Sequence, residues 1–163
     1  MKSWRYATSD RSQAVADRLS LWVGAAWWAS LSTLGFFVVP MLFVYLPNPA
    51  LAGSVAGHLF GMQTVVSGVC AAALLLLALM RGNSRVFSRY PTPVRWGPVL
   101  VVVGLCCALV SEWVVSPHIL ARENLALWHR LGSSFYLLQW LCAVTVFQLE
   151  LRRQFAGLAR WHA

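Results

Sequence analysis

Few residues in this chain have the chemistry of a site, and the most telling is Glu112. It stands within a run of apolar residues, four positions before Ser116, where an ionisable group must face water or a protein interior and find a partner. Two readings are open: the carboxylate reaches the nearby interface and meets Arg122 or Arg130, or it forms a proton or cation site inside a helical bundle. His129, Ser133, Tyr136 and Trp140 follow at spacings of four, three and four, which places them on one helical face with Gln139 beside them. Gln63, Thr64 and Ser67 supply polar groups from an earlier run. Together they predict a polar layer in the outer half of a bundle and a dry inner half. Hydrogen bonds of this kind often do no more than fix helix packing, at roughly 0.6 kcal/mol each.

Metal chemistry is a further reading. His58, His118 and His129 fall near the outer ends of three apolar runs, and three imidazoles with the Glu112 carboxylate would suit zinc or copper. No HxxxH or HExxH spacing supports the set, so it depends wholly on how the helices pack. A bis-histidine haem needs facing histidines within a bundle, and these stand at its ends. Cys70, Cys106, Cys107 and Cys142 lie inside the runs without a CxxC pair. They read as small apolar packers or, less simply, as a soft-metal path, and predict no disulfide framework. There is no phosphate-binding glycine loop, no nucleophile with a histidine base and no pair of carboxylates. The expectation is therefore a non-enzymatic protein with no cofactor.

The elements that must position these residues are legible from composition. Of 163 residues, 59% are apolar and 11% charged, nine are Trp, and the mean hydropathy is +0.63. A water-soluble domain carries about 25% charged residues and about 45–50% apolar ones, so a water-soluble globule is excluded. Four runs reach the roughly 20 apolar residues that cross a hydrocarbon core of about 30 Å: about 21–46, 59–80, 97–115 and 131–149. The fold class is an all-α integral membrane protein, a four-transmembrane-helix antiparallel bundle in one domain, with no internal repeat. The first run is preceded by basic residues and followed by Ala50-Leu51-Ala52, the small-x-small form of a signal cleavage site. Its length of about 26 residues exceeds a signal core of about 7–15, so it reads as a retained span. That length predicts tilt, projection or a bend, with Pro40 the natural bend. Pro47 and Pro49 stop the first helix, Arg81-Gly82-Asn83-Ser84 the second, and Pro117 the third. Gly53, Gly57 and Gly61 repeat every fourth residue and Gly68 returns to their face, which predicts close approach to the first helix or a homodimer surface.

The net charge of +8 and pI near 10.2 would suit a nucleic-acid binder, but the distribution excludes that. Lys2, Arg5, Arg11 and Arg18 precede the first run, Arg81, Arg85, Arg89 and Arg95 join the second to the third, and Arg152, Arg153 and Arg160 follow the fourth. The other side has only Arg122 and Arg130. Loops rich in Lys and Arg stay inside, so residues 1–20 and the tail 150–163 are predicted to be cytoplasmic, on an inner membrane. The tail places Leu151, Phe155 and Leu158 on one face and is expected to lie along the membrane surface or to extend as a solvated helix end. The lipid bilayer is the expected partner, with a second copy or another membrane protein possible and nucleic acid not.

Two segments carry a family resemblance. Trp22-Val23-Gly24, Gly35-Phe36-Phe37-Val38-Val39-Pro40-Met41-Leu42-Phe43, Leu46-Pro47, Leu51-Ala52-Gly53 and Leu59-Phe60 resemble the first helical hairpin of the bacterial family of domain of unknown function 4149. Ser116-Pro117-His118-Ile119 with Arg122, then Leu127-Trp128-His129, Ser133-Ser134 and Tyr136-Leu137-Leu138-Gln139, look like its closing stretch. That family is similar to eukaryotic transmembrane protein 205, which is associated with resistance to platinum drugs and with secretory trafficking. The resemblance spans roughly 20–149 and implies a small four-helix inner-membrane protein with no established chemistry. It marks Pro40, Gly53, Pro117 and His129 as structural or functional candidates. Two readings follow: helix interactions or small-molecule handling, and a transport or permease component with a polar site in the outer half.

Overall fold

A chain this apolar has to close its backbone hydrogen bonds within itself when it sits in lipid, and helices do so residue by residue. The computed structural model describes residues 3–82 and 96–158. Lys2, Arg85, Arg89, Arg95 and Arg160, counted above toward the basic side, lie outside the described residues. The first span is α1 (Ser3–Thr33), a π-helical turn Leu34–Val38 and α2 (Val39–Tyr45). The second is α3 (Pro49–Gly82). The third is α4 (Gly97–Val110), a π-helical turn Ser111–Val115 and α5 (Ser116–Leu120), and the fourth is α6 (Leu125–Leu158). Within these, Gln13–Tyr45, Pro49–Arg81, Gly97–Leu120 and Leu125–Phe155 are long and apolar enough to cross a membrane.

The first span packs on the second and fourth, and the third packs on the same two, so the helices form a four-sided bundle. Trp27, fully buried, crosses the middle: its ring lies 2.8 Å from where a Cβ on Gly104 would stand, and Leu31, Ala71, Leu74, Val101, Ala143 and Val146 surround it. Trp28 stacks on Phe147 with ring centroids 5.4 Å apart. Two short connections, 46–48 and 121–124, lie together at what we term the hairpin end. The opposite, basic end holds Asp17, Arg81, Gly97 and Glu150.

Helix boundaries extend beyond the apolar runs at most ends: α1 already begins at Ser3 and α6 at Leu125. α3 begins at Pro49, ten residues before the apolar run, because Asn48 accepts the Ala50 N–H on its Oδ1 at 2.8 Å and proline suits a first helical position. His58 therefore sits within a helix. Pro40 and Pro117 interrupt no span. Proline lacks an N–H and clashes with the carbonyl four residues back, and each ring follows a π turn whose wider loop absorbs it. In those turns the N–H of Val39 bonds to Leu34 O and that of Ser116 to Ser111 O, five residues back. The third helix consequently runs past Pro117 to Leu120. The fourth continues from 150 to Leu158 without a break, so the first part of the expected surface tail is an extension of the span.

Candidate functional site

Polar side chains tie the bundle together at mid-height. Gln63 Nε2 donates to Ser30 Oγ at 3.0 Å, and Gln139 Nε2 donates across the bundle to Ser67 Oγ at 2.8 Å. Tyr136 donates its hydroxyl to Leu31 O at 2.7 Å, and Trp140 Nε1 donates to Ser32 Oγ at 2.8 Å. Gly35 makes the tyrosine bond possible, since a Cβ there would collide with the Tyr136 ring. On the hairpin side of this layer the helices border a partly open cavity of about 430 Å³, lined by all four spans. Glu112, His129, Ser133, Tyr136, Gln139, Gln63 and Thr64 all line it. The second, third and fourth spans contribute the polar lining and the first contributes Gly35, Phe36, Val39 and Phe43, with both π turns alongside: Gly35 and Phe36 come from one and Ser111, Glu112 and Val115 from the other.

Glu112 makes no hydrogen bond or ion pair among the described residues, with Arg122 and Arg130 included. Its Oε1 lies 3.3 Å from where a Cβ on Gly61 would stand. No Lys or Arg lines the cavity. A charged carboxylate within a span is costly unless it is paired, and among the described residues no Lys or Arg pairs with this one.

The three histidines do not share a site. His58 Nδ1 lies 2.8 Å from Ser54 O, one turn back on an exposed face. His118 bonds Glu123 at 2.8 Å and stacks on Trp128 with centroids 4.0 Å apart, fastening the turn between the third and fourth spans. Arg122 and Asn124 adopt positive φ in that turn. Only His129 of the three lines the cavity, and no three His, Cys, Asp or Glu among the described residues stand close enough to hold one metal ion. The glycine face of α3 also differs from expectation. Nothing within the chain approaches within 4 Å of a Cβ at Gly53, Gly57 or Gly68, so these residues do not bring the first helix onto α3. Gly53 and Gly57 open the cavity wall instead, while Ala52, Ala56, Ser67 and Ala71 are the small residues buried in packing.

Just past the ends of the apolar runs at 80 and 149 the bundle carries a buried ionic cluster. At the basic end Arg81, Glu150 and Arg153 are buried, each 6–7% exposed. Arg81 pairs with Asp17 at 3.1 Å and Glu150 at 3.2 Å, Arg153 pairs with Glu150 at 2.8 Å, and Arg81 also donates to Ala16 O at 3.0 Å and to Ser20 Oγ. The cluster binds the first, second and fourth spans. Its signal was present in the sequence: Asp17 and Glu150 are two of only five acidic residues, and both flank apolar runs at the level of Arg81.

A four-span α-helical membrane protein, hollow at one end and ionically fastened at the other, is the class these features define. A family model for a domain of unknown function, DUF4149, matches residues 19–126. The chain belongs to the DUF4149 family. No curated protein and no solved structure matches it. The matched stretch covers most of the first span and the whole of the second and third, including Glu112 and Gly61, and ends before His129, so the motif-like segment around 127–139 lies beyond it.

Proposed function

We propose that this DUF4149 protein is a non-enzymatic solute-handling protein of the bacterial inner membrane, its hairpin end outward and its basic end cytoplasmic. The observation that carries the reading is the cavity of about 430 Å³ in the hairpin half, whose Glu112 carboxylate has no partner among the described residues. Ligand cavities of about 300–1,000 Å³ with apolar walls and a few polar groups hold small molecules. The excess of arginines at the basic end supports the orientation. The resemblance to transmembrane protein 205 is compatible with handling a small molecule. A transport component is the second reading, favoured by the contrast between the ends: one hollow, the other closed by the Arg81 cluster, as alternating access needs in one of its two states.

The test uses the chain in lipid nanodiscs with methylanthracene, a neutral tricyclic fluorophore, against empty nanodiscs. Saturable binding is expected. Gly57→Trp should abolish it, because that position lines the cavity and has open space where its Cβ would stand. Binding that never saturates, or that survives Gly57→Trp in a folded variant, overturns the reading.

A further inference from the structure

Resting on the reading of the cavity as a solute site, we propose that its ligand is a lipophilic organic cation, with Glu112 as the counter-ion and the surrounding aromatic rings as its seat. Charge comes first. The cavity lining holds one carboxylate and neither Lys nor Arg, and that carboxylate has no hydrogen bond or ion pair among the described residues. The other titratable groups lining it are His129 and Tyr136, and the Tyr136 hydroxyl is committed to Leu31 O at 2.7 Å. An anion would meet Glu112 with no Lys or Arg in the lining to hold it. A neutral solute would leave the carboxylate unpaired, whereas a cation completes it.

The walls then select among cations. A bare metal ion needs several oxygen ligands in place of its water shell, and no three acidic, His or Cys side chains among the described residues gather to supply them. Phe36, Phe43, Phe60 and Tyr136 line the same space. Aromatic faces attract organic cations and bury their apolar bodies. Two of these rings are braced by neighbours: Phe60 meets Tyr136 edge to face at 5.2 Å, and Phe36 meets Trp140 likewise at 5.4 Å. Gly61 completes the arrangement by leaving the carboxylate room where a side chain would press on it, 3.3 Å from Oε1.

The experiment compares methylanthracene with N-methylacridinium, which has the same tricyclic shape and a permanent positive charge, in the same nanodiscs. Wild type is expected to bind the cation at least about tenfold more tightly than the hydrocarbon, each measured against empty nanodiscs. Glu112→Gln should bring the two affinities to within about twofold of each other, and Glu112→Asp should restore much of the difference. Equal affinities in wild type, or a preference unchanged by Glu112→Gln, overturn the cation proposal while saturable methylanthracene binding keeps the cavity reading. Failure of both probes to saturate overturns both.

Discussion

Glu112 packs closely over a glycine. The carboxylate lies over Gly61, so an unpaired polar group of the cavity wall meets a missing side chain just behind it. Glycines in this protein serve opposite ends, and stability should separate them. Gly104→Ala would drive a methyl to 2.8 Å from the buried Trp27 ring and 3.2 Å from Cys142 Cβ, and is expected to destabilise by about 1–3 kcal/mol. Gly68→Ala meets nothing within 4 Å and should be neutral or stabilising by up to about 1 kcal/mol, through helix propensity. Reversible unfolding in mixed micelles reads both; a reversed order would contradict the packing around Trp27. At this scale the sequence was informative about polar residues, because a polar group within a span has to turn inward, and seven chosen on that ground line one cavity. It was uninformative about glycine, since spacing along α3 cannot tell a face that admits a neighbouring helix from one that lines a void.

At the scale of the element, hydropathy located four helices but misplaced their ends. The start of α3 is rich in Gly, Ala, Ser and His and scores weakly, while an Asn48 cap and Pro49 define it physically. Pro117 read as a stop and Pro40 as a bend because the missing N–H and ring clash are visible in sequence, but the π turn that precedes each is not. Both π turns border the cavity, and Glu112 belongs to one. Pro117→Ala removes the ring that the turn accommodates. The turn is then expected to relax toward α-helical geometry, raising unfolding stability while weakening methylanthracene binding several-fold, about 1 kcal/mol. Unchanged binding would show that the wider turn does not shape the cavity wall.

For the whole molecule, the two ends are built on opposite principles. The basic end buries Arg81, Glu150 and Arg153 in a network that joins three spans, and removing one member leaves the others charged and poorly paired. Arg81→Met is accordingly expected to cost about 3–5 kcal/mol in unfolding, well beyond any single hydrogen bond of the mid-height layer. A loss near 1 kcal/mol would mean that the cluster is solvated. These residues escaped the sequence reading because each stands at the edge of an apolar run, where arginine signals orientation; their burial arises only when α6 extends past 149 and meets α1 and α3. The hairpin end leaves its one intramembrane carboxylate facing a void. Substituted-cysteine labelling tests that contrast most directly. In a chain with Cys70, Cys106, Cys107 and Cys142 replaced by Ala, single cysteines are placed at Gly57, Ser133 and, as a buried reference, Ala143. A small membrane-impermeant thiol reagent added from the outer side should modify Gly57→Cys and Ser133→Cys, with methylanthracene slowing the reaction, and leave Ala143→Cys untouched. Cavity cysteines that stay unmodified, or that react only from the cytoplasmic side, would contradict an outward-facing solute site.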